Sequence, residues 1–208
     1  MSETEPPIYT DVEQDEALLA RYVQGEVRAF SVLYQRHKAA TFRYLLRQTR
    51  DAVLAEDLQQ EVWSQVITHG KGFQPTAKFT TWLFTIARNK VIDHVRHLKV
   101  YNRVVEDTAE LESEVACNHI IGSSAVDAEY ESQRNRQAMK SCLNKLPVHL
   151  LEVFVLKEDA NMTAAQIAQV VCASREATKS RLRYASQQLA DCLRFKLGLT
   201  ENQVMHNE

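Results

Sequence analysis

Glycine and proline are scarce in this chain, at five and four among 208 residues. Turn-rich β architectures need more of both. No long alternation of apolar and polar residues marks a half-buried strand either, so helical periods dominate and the expectation is an all-α protein. No apolar run approaches the roughly 20 residues of a membrane span. The opening MSETEPPIYTDVEQDE is acidic and lacks the apolar segment of a secretory signal. These absences predict a cytoplasmic protein without membrane insertion. The four cysteines, Cys117, Cys142, Cys172 and Cys192, form no CxxC pair. They are expected as free thiols in a reducing compartment. Cys117 and His119 are two candidate ligands where a structural zinc site takes about four, so neither metal nor cofactor is expected. His69, His94, His97 and His149 are scattered, and no nucleophile is paired with a base. Nothing in the residues argues for an enzyme.

Charge is present but unevenly spread. The formal balance is −2, yet residues 1–16 hold six acids and no base, and residues 104–133 hold eight acids and no Lys or Arg. The rest of the chain carries 13 acids against 25 bases, a balance of +12. A basic body with acidic extensions fits nucleic-acid binding, although a solvated protein with acidic tails has the same composition.

Helical patterning starts near Asp15. Leu18, Leu19, Tyr22 and Val23 form one apolar face, and after Gly25 the spacing resumes through Val27, Phe30, Leu33 and Tyr34. A further helix spans about Ala52–Thr68, with Leu54, Leu58, Val62 and Trp63 in its stripe. The loop His69–Lys78, HGKGFQPTAK, holds two glycines and a proline and so interrupts the helix. KFTTWLFTIARNKVIDHVR follows, with Thr80 or Thr81 as the expected N-cap. Trp82, Leu83, Ile86, Val91, Ile92 and Val95 suit a core; Arg88, Asn89, Lys90, Asp93, His94 and Arg96 suit a surface. The chain reads as a disordered start (1–14), a first helical domain (15–103), an acidic linker (104–133), a second helical domain (134–197) and a tail (198–208).

The second domain has the pattern of a helix-turn-helix. Pro147 ends one helix and opens LLEVFVLKE. Asn161 suits a left-handed turn. Thr163 and Gln166 make a T-x-x-Q capping box. Ser174 is the expected N-cap of a long final helix with Thr178, Leu182, Ala185, Leu189 and Leu193 as its inner stripe. Its exposed start carries Arg175, Glu176, Lys179, Ser180, Arg183 and Tyr184. A short helix, a tight turn and a basic helix can enter a major groove, with Arg181 available to a phosphate. A plain three-helix bundle with one charged face would look similar.

AEDLQQEVW (Ala55–Trp63), FTTWLFTIARNKVIDHVR (Phe79–Arg96) and the stretch Leu146–Leu182, in this order and spacing, resemble a sigma-70 family RNA polymerase sigma factor of the two-domain extracytoplasmic-function (ECF) type. The resemblance covers nearly everything from Asp15 to Leu197. It implies a transcription initiation factor, not an enzyme, with bacterial RNA polymerase core and promoter DNA as partners. Glu56, Asp57, Gln60 and Glu61 would dock on the β′ coiled coil, and the second domain would meet the β flap. The segment Phe79–Arg96 would open the minus-ten element. There Lys71, Lys78, Arg88 and Arg96, with Lys99, would neutralise phosphates, and Asn89, Asp93 and His94 would reach bases. Trp82 is expected in the core rather than stacked on a base. Arg175, Glu176, Lys179, Ser180, Arg183 and Tyr184 would read the minus-thirty-five element. The acidic linker would repel DNA and thread the polymerase's RNA-exit path. An anti-sigma factor is a common partner in this family, although no residue here names one. A helix-turn-helix regulator acting without polymerase is the alternative, and it leaves the docking helix without a purpose.

Two features depart from the family pattern. Cysteine stands at position 172, in a turn that usually carries glycine or another small residue. Glu176-Ala177-Thr178 replaces the usual Gly-Thr-Val before the lysine. The second puts the minus-thirty-five sequence in question rather than DNA binding itself.

Overall fold

The computed structural model describes residues 13–74, 77–105 and 126–198. All regular structure among them is helical, and the chain divides into two compact units. The first holds α1 (Asp15–Val23), α2 (Val27–Thr49), α3 (Ala52–His69) and α4 (Phe79–Val105), with a 3-10 turn at Gly70–Gly72. The second holds α5 (Val126–Lys145), α6 (Val148–Glu158), most of α7 (Ala164–Val170) and α8 (Arg175–Leu197).

In the first unit, α2 packs against the other three helices and α3 packs on α4. Apolar residues at helical spacing explain this arrangement. Leu18 and Leu19 of α1, Leu33 and Leu45 of α2, Leu58 and Val62 of α3, and Leu83 and Phe84 of α4 are all buried. Tyr44 and Phe84 meet edge to face at 5.5 Å. Breaks come where backbone chemistry requires them: Gly25 takes φ 104°, and Asp51 caps α3 by accepting the amides of Val53 and Leu54.

Two expectations for α4 are corrected. Its core stripe stops after Ala87: Val91 and Ile92 are half-buried and Val95 is 43% exposed. Neither Thr80 nor Thr81 is its N-cap, because the helix already begins at Phe79. Thr81 is buried inside the first turn.

The second unit follows the helix-turn-helix reading. Pro147 is the N-cap of α6, and Asn161 is left-handed at φ 51°. Thr163 and Gln166 form the capping box, with the Thr163 amide donating to Gln166 Oε1 and the Gln166 amide donating to Thr163 Oγ1. Ser174 caps α8 by accepting the Ala177 amide. The boundary of the acidic segment moves, since α4 runs to Val105 and α5 starts at Val126. Residues 126–133, expected as linker, are therefore helix, and residues 106–125 lie outside the described ones.

The cysteine expectation is also corrected. Cys142 of α5 and Cys192 of α8 form a disulfide with Cα atoms 5.8 Å apart. The two lie 50 residues apart in sequence, so only the packing of α5 on α8 brings them together. Cys172 is outside that bond and exposed. Cys117 and His119 fall outside the described residues.

Candidate nucleic-acid interface

Three helix faces carry the residues singled out above. On α3, Glu56, Asp57, Gln60 and Glu61 are all exposed. Their spacing of i, i+1, i+4 and i+5 makes one contiguous acidic strip, while Leu58, Val62 and Val66 bury the opposite side. Glu61 differs from its neighbours because its Oε2 accepts from Lys90 Nζ of α4 at 2.7 Å. Lys90 is therefore a functional candidate that the sequence did not single out. Its partner lies 29 residues upstream, and no local pattern announces the pair.

On α4 the expected set separates. Asn89, Asp93 and Arg96, at i, i+4 and i+7, share one exposed face. Asp93 and Arg96 form an open ion pair at 3.7 Å. Arg88 is half-buried and lies about 100° round the helix from Asn89. His94 is also half-buried and stands one turn beyond Lys90 on α4. Lys71 and Lys78 are exposed at the two ends of the loop between α3 and α4. Between the helices lies an open groove of about 480 Å³ whose lining includes Glu61, Ser64, Gln65, Thr68, His69 and Lys90. Its lining residues are of polar or charged type, and it adjoins both the acidic strip and the loop.

The loop is tied to α4 by rings. Phe73 lies 5.2 Å from Trp82 and 6.4 Å from Phe79, and Phe79 lies 6.1 Å from Trp82. Phe79 is fully buried and Trp82 half-buried. Trp82 thus belongs to a packed aromatic cluster.

On α8, Arg175, Glu176, Lys179, Ser180, Arg183 and Tyr184 are all exposed. They fall on two adjacent i, i+4, i+8 rows and form one face over the first half of the helix. The Arg183 guanidinium sits over the Tyr184 ring at 5.3 Å, a cation–π contact that holds the two side chains together on this face. Thr178, Ala185 and Leu189 hold the other side in the core, and Arg181 is half-buried. Among the described residues no three His, Cys, Asp or Glu side chains gather to hold a metal, and no helix is long and apolar enough to cross a membrane.

Comparison with known proteins places these faces in context. Residues 33–100 match the family model for sigma-70 region 2. SigL of Mycobacterium tuberculosis (strain H37Rv), an ECF RNA polymerase sigma factor, is 31% identical over 177 residues, which span 85% of this chain and 94% of that protein. SigK of Mycolicibacterium vanbaalenii is 26% identical over 179 residues, 86% of this chain and 88% of that one. Two solved structures share the fold. CnrH in complex with the cytosolic domain of CnrY has 23% identity and a TM-score of 0.61, covering 88% of this chain and 99% of that one. The sigma factor RpoE in complex with the anti-sigma factor NepR from Bartonella quintana has 21% identity and a TM-score of 0.63, covering 79% and 96%.

Proposed function

The chain belongs to the ECF RNA polymerase sigma factors, and from this premise we propose a division of labour among its three helix faces. The acidic strip Glu56–Asp57–Gln60 of α3 docks on a basic surface of core polymerase, the β′ coiled coil. Glu61 joins it by exchanging Lys90 for a polymerase cation. Such an exchange costs little, because an exposed ion pair contributes at most about 1 kcal/mol. The face Asn89–Asp93–Arg96, with Lys71 and Lys78, meets the minus-ten element once its strands part. Arg96 and the lysines neutralise phosphates, and the amide of Asn89 can hydrogen-bond a base edge. The start of α8 enters the major groove of the minus-thirty-five element, with Lys179, Arg183 and Ser180 on base edges or phosphates. Glu176 can accept from the amino group of cytosine. The anti-sigma factor co-crystallised with RpoE supports an anti-sigma factor as the proposed regulatory partner here as well.

The observation that carries this reading is the separation of charge: an acidic face on α3 and a basic face on α8, each exposed and each backed by a buried stripe. A regulator acting on DNA alone has no use for the first. The test is in vitro transcription with purified core polymerase on genomic fragments, with start sites mapped. Added chain should direct specific starts that core alone does not make. Glu56→Lys with Asp57→Lys should abolish core binding and leave the helical spectrum unchanged, since both side chains are exposed. Unaltered core affinity would overturn the docking face.

A further inference from the structure

The first amide of a helix has no partner within it, and α4 meets this need from a distant element. Glu16, in the first turn of α1, accepts the Phe79 amide on Oε1 at 2.8 Å, across 63 residues of sequence. Its other carboxylate oxygen lies 3.8 Å from Lys78 Nζ. A carboxylate at a helix N-terminus is favoured both by the hydrogen bond and by the helix dipole. Asp15 beside it holds His37 at 2.7 Å, and the His37 ring lies 5.4 Å from the Phe79 ring. Both acids of this turn therefore converge on Phe79, one of the two α4 rings, with Trp82, that the loop's Phe73 meets.

The geometry points to Glu16 as a positioning residue for promoter opening. By capping α4 from α1, it fixes where Lys78 and the Phe73 end of the loop stand relative to the face Asn89–Asp93–Arg96. It touches no DNA itself. A supporting contact of this kind sets the placement of groups that must meet a ligand within a fraction of an ångström. The inference rests on the reading that this loop and α4 meet the melted minus-ten strand.

The test uses holoenzyme with the full chain on a promoter mapped as above, and reads strand opening by permanganate reactivity of minus-ten thymines. Three variants separate geometry from charge. Glu16→Gln keeps an acceptor within reach of the Phe79 amide and loses the charge; opening should stay within about twofold of the unsubstituted protein. Glu16→Asp keeps the charge but is one methylene short, and Glu16→Ala removes both; each should open about tenfold less. Core affinity and binding to duplex minus-thirty-five DNA should be unchanged, and tryptophan emission should shift as the Phe73–Trp82 contact loosens. Normal opening by Glu16→Asp and Glu16→Ala overturns the inference. So does equal loss in Glu16→Gln, or a loss matched by weaker core binding. Asn89→Ala with Arg96→Ala serves as the reference. If that pair opens normally, the minus-ten reading itself fails; if it is defective while the Glu16 variants are normal, only the capping role falls.

Discussion

Asp15 shows how much one side chain can hold. It accepts from Arg36 at 2.9 Å and from His37 at 2.7 Å, tying α1 to α2. Burial alone would push its pKa up, but hydrogen bonds and charge from His37 and Arg36 outweigh this and hold it below the ordinary aspartate range. A depressed carboxylate pKa stabilises the fold above its unfolded value, and the effect is lost as pH falls through the folded one. Asp15→Asn should therefore cost about 1 kcal/mol at pH 7. The gap to the unsubstituted protein should narrow as pH falls below ~4 and close only below the depressed folded-state pKa, as a series of thermal melts from neutral to strongly acidic pH would show. Cys172 makes the opposite case. It sits at φ 51° in the turn before α8, where a Cβ is strained. Cys172→Gly should be neutral to stabilising by up to about 1 kcal/mol, read from the urea midpoint.

Among the elements, α8 combines three jobs. Ser174 starts it, its first half presents the proposed DNA face, and Cys192 near its end bonds α5. Ser174→Ala should cost roughly 1 kcal/mol by leaving the Ala177 amide without its side-chain acceptor. The disulfide closes a span of 50 residues, for which chain entropy gives about 4 kcal/mol, with measured values commonly 2–4. Reduction, or Cys142→Ser with Cys192→Ser, should lower the stability of the second unit by that order. The two probes needed are already in the protein. Both tryptophans, Trp63 and Trp82, belong to the first unit. A reductant should shift the melt followed by helical circular dichroism and leave the tryptophan transition in place. A shift in both would show that the bond stabilises more than its own unit.

For the molecule as a whole, charge sets the behaviour toward DNA. Outside its two acidic stretches the chain carries a surplus of +12, so phosphate contacts should dominate affinity and fade with salt. Lys179→Ala with Arg183→Ala should weaken holoenzyme binding to minus-thirty-five duplex and reduce the salt slope by about two, measured by titration at several ionic strengths. Retention of the full slope would move the recognition face elsewhere.

Local chemistry makes much of this molecule legible in its residues alone. Helix periodicity locates α2, α3 and most of the inner stripe of α8, because burial repeats every 3.6 residues whatever the fold; it overreaches at Val27, which is 70% exposed, and at Leu182 and Leu193, which are half-buried. Thr163–Gln166 and Ser174 are readable as caps, since a cap and its amides lie within three residues of each other. The three candidate faces are equally readable, because i, i+4 spacing fixes which side chains share a surface. What escapes is every contact closed over a long loop. The α4 cap on Glu16, the Lys90–Glu61 pair and the Cys142–Cys192 bond join residues 63, 29 and 50 positions apart. No residue pattern encodes such partners. They are chosen by which helix faces pack together, and that choice is made by the whole apolar core at once. Local residue chemistry sets the helices, caps and charged faces; the packing of the core selects which of those charges are already engaged, and where the loop before α4 is held.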